Sequence, residues 1–272
     1  MLFGRGDKMA SVLSEEQIIE SLLEDGPKQC LLATGTKFEK RIGSCIFKQW
    51  KKWTDASSHS ADPPDYFSDK LKMMFDVLNV FDSQKANPRS PEKVIDSVLA
   101  AESKIENEIV SFMDSAGINY DRKNIFCICK EDGKEYDAAH NYCNYRFSVT
   151  RAIGKHIEQL PLYKKNHPGY KCGLLICDNT EAYIETNNLI EDMGVEYGYI
   201  NIRRMHYPWL DESFIKPILG SGLDFLIWYM PYKKYSKKPD WADYPMSVVM
   251  DLKYPRLQSC LQKYIPYLMR PL

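Results

Sequence analysis

Residues 170–178 read Tyr170-Lys171-Cys172-Gly173-Leu174-Leu175-Ile176-Cys177-Asp178. The run is almost continuously apolar and follows a turn signal, His167-Pro168-Gly169. A short apolar run without alternation is the pattern of a strand covered on both faces. Its neighbours in sequence alternate in kind. Tyr142 to about Leu162 has a helical period, with Phe147, Ile153, Ile157 and Leu160 at expected buried positions. Leu210–Leu219 reads as a short helix, Gly222–Tyr229 as a strand, and Met246–Leu252 as another. Arg256–Met269 closes as an amphipathic segment bent near Pro266. Strands interleaved with helices predict an α/β fold with an α+β tendency, a mixed central sheet flanked by helices.

Towards the N-terminus, helices dominate the reading. Ser14 and Gln17 stand at capping-box spacing before Ile18, Ile19, Leu22 and Leu23, and Gly26-Pro27 stops the helix. Phe38–Trp53 predicts a second helix, and Lys70–Asp82 a strand or a buried helix, the partial alternation of Met73, Phe75, Val77 and Phe81 favouring a strand. A helix from Pro91 to about Ser115 and a strand over Asn124–Lys130 follow. The expected organisation is a mainly helical part, residues 1–119, packed on an α/β part, residues 120–272.

The chain has 272 residues, 36 Lys+Arg against 37 Asp+Glu, and a net charge of -1. That balance excludes a protein that coats nucleic acid by bulk charge. No apolar run is long enough for a membrane span, and the first residues lack the apolar core of a signal peptide. Eight cysteines without a Cys-x-x-Cys are expected to be reduced thiols of a cytoplasmic protein, and zinc is not expected. The absence of P-loop, G-x-G-x-x-G and G-x-S-x-G patterns argues against a nucleotide cofactor or a serine esterase. Nothing in the chain sets the oligomeric state.

One late constellation carries chemistry. Asp251-Leu252-Lys253 ends an apolar strand, and positions i and i+2 of a strand share a face. Asp224 opens the preceding strand, and Glu212 lies on the helix before it. Helix carboxylate, strand aspartate, turn, strand Asp-x-Lys: this order resembles the PD-(D/E)XK nuclease superfamily. The resemblance covers about residues 205–265. It implies Mg²⁺ held by Asp224 and Asp251, with Lys253 as catalytic lysine and Glu212 as the helix carboxylate. Two features depart from the family. No proline precedes Asp224, and the family core continues with a helix and a strand, whereas this chain ends at Leu272, 19 residues after Lys253.

An earlier set competes: Glu39, Asp65 in Pro63-Pro64-Asp65, Asp76 and Asp82. Pro64-Asp65 before a strand also resembles the first family motif. The strand taken as its partner, Ile125–Lys130, has Ile128 where a carboxylate should precede Lys130. The C-terminal set is therefore preferred.

Lysines interleave with aromatics at 47–53, 163–171 and 232–238. Lysines neutralise phosphates and aromatic faces stack on bases. Lys233, Lys234, Tyr235, Lys237 and Lys238 link the two preferred strands and are expected to hold DNA or RNA. The expected function is a metal-dependent nuclease or nuclease-like protein. The alternative is a non-catalytic binding protein that uses an aromatic- and lysine-rich surface.

Overall fold

The structure, a computed structural model, describes residues 13–56, 64–82, 113, 115–118, 141–180, 182–186, 202–231 and 245–271. Strand β5 (Lys171–Asp178) lies at its centre. Parallel neighbours flank it: β4 (Met73–Val80) and β8 (Phe225–Tyr229). β9 (Ser247–Asp251) runs antiparallel to β8, and β1 (Cys30–Leu32) runs parallel to β9. On the other side β3 (Tyr66–Ser68) and β2 (Thr54–Asp55) continue antiparallel from β4. The seven-stranded order is β1-β9-β8-β5-β4-β3-β2. The fold is α/β with a mixed sheet.

The apolar run at 170–178 is explained by this position. Cys172, Leu174 and Ile176 enter one core, and Leu175 and Cys177 enter the other. The first core lies under α3 (Tyr142–Asn166) and the short α4 (Glu212–Ile215). The second lies under α1 (Glu15–Asp25) and α2 (Lys37–Phe47). Gly173 is needed because the Phe225 ring covers it. A β-carbon there would stand 2.3 Å from that ring.

Local sequence accounts for the helix ends. Ser14 and Gln17 form the expected capping box, and Gly26 closes α1 with φ 71°, a conformation that favours glycine. α2 stops at Phe47, earlier than its charge and apolar pattern predicts. A 3₁₀ turn at Trp50–Lys52 then turns Trp50 and Trp53 inwards onto Tyr66 and Phe75. α3 is capped by Asn141 and runs past Pro161 to Asn166. Phe147 is not buried as expected; it is 57% exposed. The buried stripe is Tyr142, Tyr145, Val149 and Ile153, and Phe147 falls on another side of the 3.6-residue turn.

The described residues of the N-terminal part add strands to its helices α1 and α2. Residues 30–80 supply four strands to the same sheet as β5, β8 and β9. The boundary expected near residue 119, most of the helix expected at 91–115 and the strand expected at 124–130 lie outside the described residues. The helix expected at 210–219 contracts to Glu212–Ile215, between Pro208 and Pro217. A three-stranded antiparallel sheet was not anticipated: β6 (Tyr183–Thr186), β7 (Ile202–Met205) and β10 (Met269–Pro271), in the order β10-β6-β7. Among the described residues no helix is long and apolar enough to cross a membrane.

Gly173→Ala is expected to destabilise the protein by about 1–3 kcal/mol through overpacking against Phe225. A lower urea midpoint with an unchanged slope checks this. An unchanged midpoint would mean that the ring moves aside at no cost.

Candidate functional site

The C-terminal carboxylates stand on adjacent strands but serve separate partners. Phe225 pairs with Asp251, and the Leu252 N–H donates to the Asp224 carbonyl at 3.1 Å, so Asp224 and Asp251 are near neighbours in the ladder. Asp224 Oδ1 accepts from Lys171 Nζ at 2.9 Å, and its Oδ2 accepts from the Cys172 N–H at 3.0 Å. Asp251 Oδ2 accepts from Thr36 Oγ1 at 3.2 Å, and its Oδ1 accepts from the Lys253 N–H at 3.0 Å. The Lys253 side chain is exposed. Glu212 belongs elsewhere, on α4 beside Lys216 and Lys263, at 3.1 and 3.7 Å. The same helix stacks Phe214 on Trp228, towards the far end of β8 from Asp224. Lys233, Lys234, Tyr235, Lys237 and Lys238 lie outside the described residues.

Glu39 has a structural task. Its fully buried carboxylate accepts the N–H groups of Thr34, Gly35 and Thr36, the Thr34 hydroxyl, and the Asp251 N–H at 3.0 Å. These bonds tie the β1–α2 loop and the start of α2 to the end of β9. Asp82 likewise accepts from the Tyr183 hydroxyl, at 2.6 Å.

The remaining pair of the earlier set comes together. Antiparallel pairing of Tyr66 with Phe75 sets Asp65 opposite Asp76. The Asp65 N–H donates to Asp76 Oδ1 at 3.0 Å, and the Val77 N–H donates to Asp65 Oδ2 at 2.7 Å. From α3, His156 Nδ1 sits 2.6 Å from Asp76 Oδ2, and the Tyr163 hydroxyl donates to the same oxygen. Asp76 is 2% exposed and His156 18% at the side chain, while Asp65 is half-buried, so one member of the pair lies beneath the surface and the other reaches it.

The electrostatics of this group are unusual. Burial, and then the charge of Asp76, push the Asp65 carboxyl up to about 7, against a smaller pull from the Val77 N–H and His156. Burial, followed by Asp55 and Asp76, also raises Glu15 on α1. Burial and the Asp76 contact push the Tyr163 hydroxyl well above its usual range. A carboxyl that titrates near 7 can give or take a proton at neutral pH. Position 78, two residues after Asp76, holds a buried leucine, not lysine. Among the described residues no three His, Cys, Asp or Glu side chains form a group able to hold a metal.

Pro64-Asp65 was the visible signal for this site. The strand expected as its partner, at 125–130, lies outside the described residues; β3 instead returns at once into β4 through residues 69–72 and pairs with it. The expected stacking surface is also altered. Trp50 and Trp53 pack on the second core, and Tyr163 and Tyr170 are buried, so in two of the three clusters the rings face inwards and the lysines outwards. Cys30, Cys45, Cys143, Cys172, Cys177 and Cys260 are free thiols; burial pushes Cys172 up to about 12.

Two outcomes follow from these networks. Glu39→Ala leaves four backbone N–H groups without their acceptor and should cost at least about 3 kcal/mol, at about 1–3 kcal/mol for each dry donor. Chemical denaturation measures it, and a loss below 1 kcal/mol (roughly one weak bond) would contradict the clamp. For Asp65, the unfolded chain releases its proton near 3.8 and the folded chain near 7. The folded state therefore holds the extra proton between those values. Its contribution is full below the lower value and is lost as pH rises through about 7. Asp65→Asn should flatten that fall and raise the melting midpoint at about pH 8, by roughly 2–4 °C per kcal/mol relieved. An unchanged pH profile of the midpoint would contradict it.

No protein-family model matches the chain, and no curated protein or solved structure matches it significantly.

Proposed function

We propose that the chain is a nuclease-like protein acting on phosphodiester bonds of DNA or RNA, with its site at Asp65 and Asp76 and with Glu15 and His156 beside them. One observation carries this reading: Asp65 and Asp76 face each other across β3 and β4, and the surrounding elements follow the nuclease-like order. α1 brings Glu15, Pro64-Asp65 opens β3, a short turn leads to Asp76 on β4, and among the described elements α3 and β5 follow. Here the strand that follows, β5, pairs directly with β4 in the same sheet, whereas the strand after Lys253, β10, belongs to the three-stranded sheet.

The donor chemistry fits a hard cation in a limited sense. Mg²⁺ is commonly held by one or two carboxylates, with water and substrate phosphate completing its shell. Asp65 and Asp76 are the residues that would hold it, and their mutual repulsion is what a cation would relieve. Such an ion supplies polarisation of the phosphate and activation of water. The chain's own groups do the rest. His156 and Tyr163 fix the Asp76 carboxylate, and Asp65 exchanges a proton at neutral pH.

Buried Leu78 in the place of the lysine favours a second reading, nucleic-acid binding without cleavage. The full chain should be incubated with single- and double-stranded DNA and RNA in Mg²⁺ or Mn²⁺. Cleavage that falls at least about 100-fold in Asp76→Asn, the size expected for loss of a catalytic group, and persists in Glu212→Gln supports the nuclease. Binding without cleavage supports the second reading. Cleavage lost with Asp251→Asn but not with Asp76→Asn returns the site to the C-terminal carboxylates. Neither binding nor cleavage overturns both readings.

A further inference from the structure

The described residues also enclose a cleft of about 600 Å³ at the amino end of α3, apart from the carboxylate pair. Its walls are Tyr142 and Arg146 of α3, Glu212 of α4 and Lys216 just after it, and Lys263 and Tyr264 of the C-terminal segment. The volume is that of a ligand pocket. It lies on the side of α4 near the carboxyl ends of the parallel strands: Phe214 of α4 stacks on Trp228, and the Trp228 Nε1–H donates to Asp178, the last residue of β5, at 2.9 Å. Open α/β sheets bind ligands outside those strand ends.

The floor is rigid and its charge is compensated. Asp211 is buried and accepts from the Tyr142 hydroxyl at 2.5 Å, from Ser213 N–H and Oγ–H at 2.8 Å each, and lies 2.7 Å from His206 Nε2. Burial alone would push the Asp211 carboxyl up. His206, Tyr142 and Ser213 outweigh it and hold the carboxyl below its ordinary range, so the buried floor carboxylate has its own partners. The rim is different. Arg146, Lys216 and Lys263 line it with one half-buried carboxylate, Glu212. The two lysine side chains are 61% and 85% exposed, and ion pairs of that kind contribute little and exchange readily. The cleft keeps a surplus of mobile positive charge over a fixed floor. Arginine with lysine is the donor set that suits phosphate oxygens.

We propose that this cleft binds a phosphate group through Arg146, Lys216 and Lys263, with Glu212 yielding its lysines to the incoming anion. The phosphate comes either from a small phosphate ester or from a nucleic-acid strand. The site does not depend on the Asp65–Asp76 reading, and its test uses no cleavage.

The full chain is titrated without metal, first with inorganic phosphate and then with a short single-stranded oligonucleotide. Binding is followed by calorimetry and by the salt dependence of affinity. Saturable binding is expected, weakened about ten-fold in Lys216→Gln and again in Lys263→Gln or Arg146→Gln, the loss of one charge-assisted bond each. It is expected to persist in Lys165→Gln, an exposed lysine of α3 outside the cleft. These side chains are on the surface, so melting midpoints should match the parent and confirm folding. Binding of inorganic phosphate through these residues points to a small ester. Binding of the oligonucleotide alone, lost in the same variants, points to a strand. No binding of either probe, or equal loss in Lys165→Gln, overturns the proposal.

Discussion

The enclosure of β5 is the constraint on which the rest depends. A strand with parallel partners on both edges and apolar cores on both faces requires two layers of cover. One layer is α3 with α4, and the other is α1 with α2. Each hydrophobic face then buries polar groups brought in by the same segments, and those groups must be paired. Glu39 shows how strictly. It takes hydrogen bonds from three consecutive backbone N–H groups of its own loop and one from the end of β9.

The commonest solution in this protein is a tyrosine hydroxyl on a buried aspartate. Three of these tyrosines belong to α3: Tyr142 meets Asp211, Tyr145 meets Asp178 and Tyr163 meets Asp76. A phenol is well suited to the task. Its ring fills the core while its hydroxyl reaches a charged acceptor. The same bonds set the depth and rotation of α3, so the long helix is positioned by polar contacts as well as by packing. Asp76 differs from the others because a second carboxyl, Asp65, is forced beside it by strand register. That is why charge balance is disturbed at this point and largely satisfied at Asp178 and Asp211.

Charge separation gives the near-neutral chain its local character. Several carboxylates, among them Glu39, Asp76, Asp178 and Asp211, are buried and held by phenols, imidazoles and N–H groups. Lysines of the two described aromatic clusters project outwards while their rings pack inwards. A surface rich in lysine over buried aromatics steers anions without offering a stacking platform. The cleft beside α4 fits this pattern, with a floor carboxylate held by its own partners and a cationic rim.

Much of the architecture was determined by local sequence. The apolar run at 170–178, the capping box at Ser14 and Gln17, and the strand patterns ending at Tyr229 and Asp251 each specify an element, because hydrophobic period and capping act over a few residues. The choice among carboxylates was decided only by the tertiary structure. Glu39 meets Asp251 across 212 residues, and Tyr163 meets Asp76 across 87. Asp65 meets Asp76 over a short separation, yet only the register of β3 on β4 makes them partners. Strand order and register decide which acids share a site. Neither is encoded in local propensity, since a one-residue slip preserves composition and exchanges the faces.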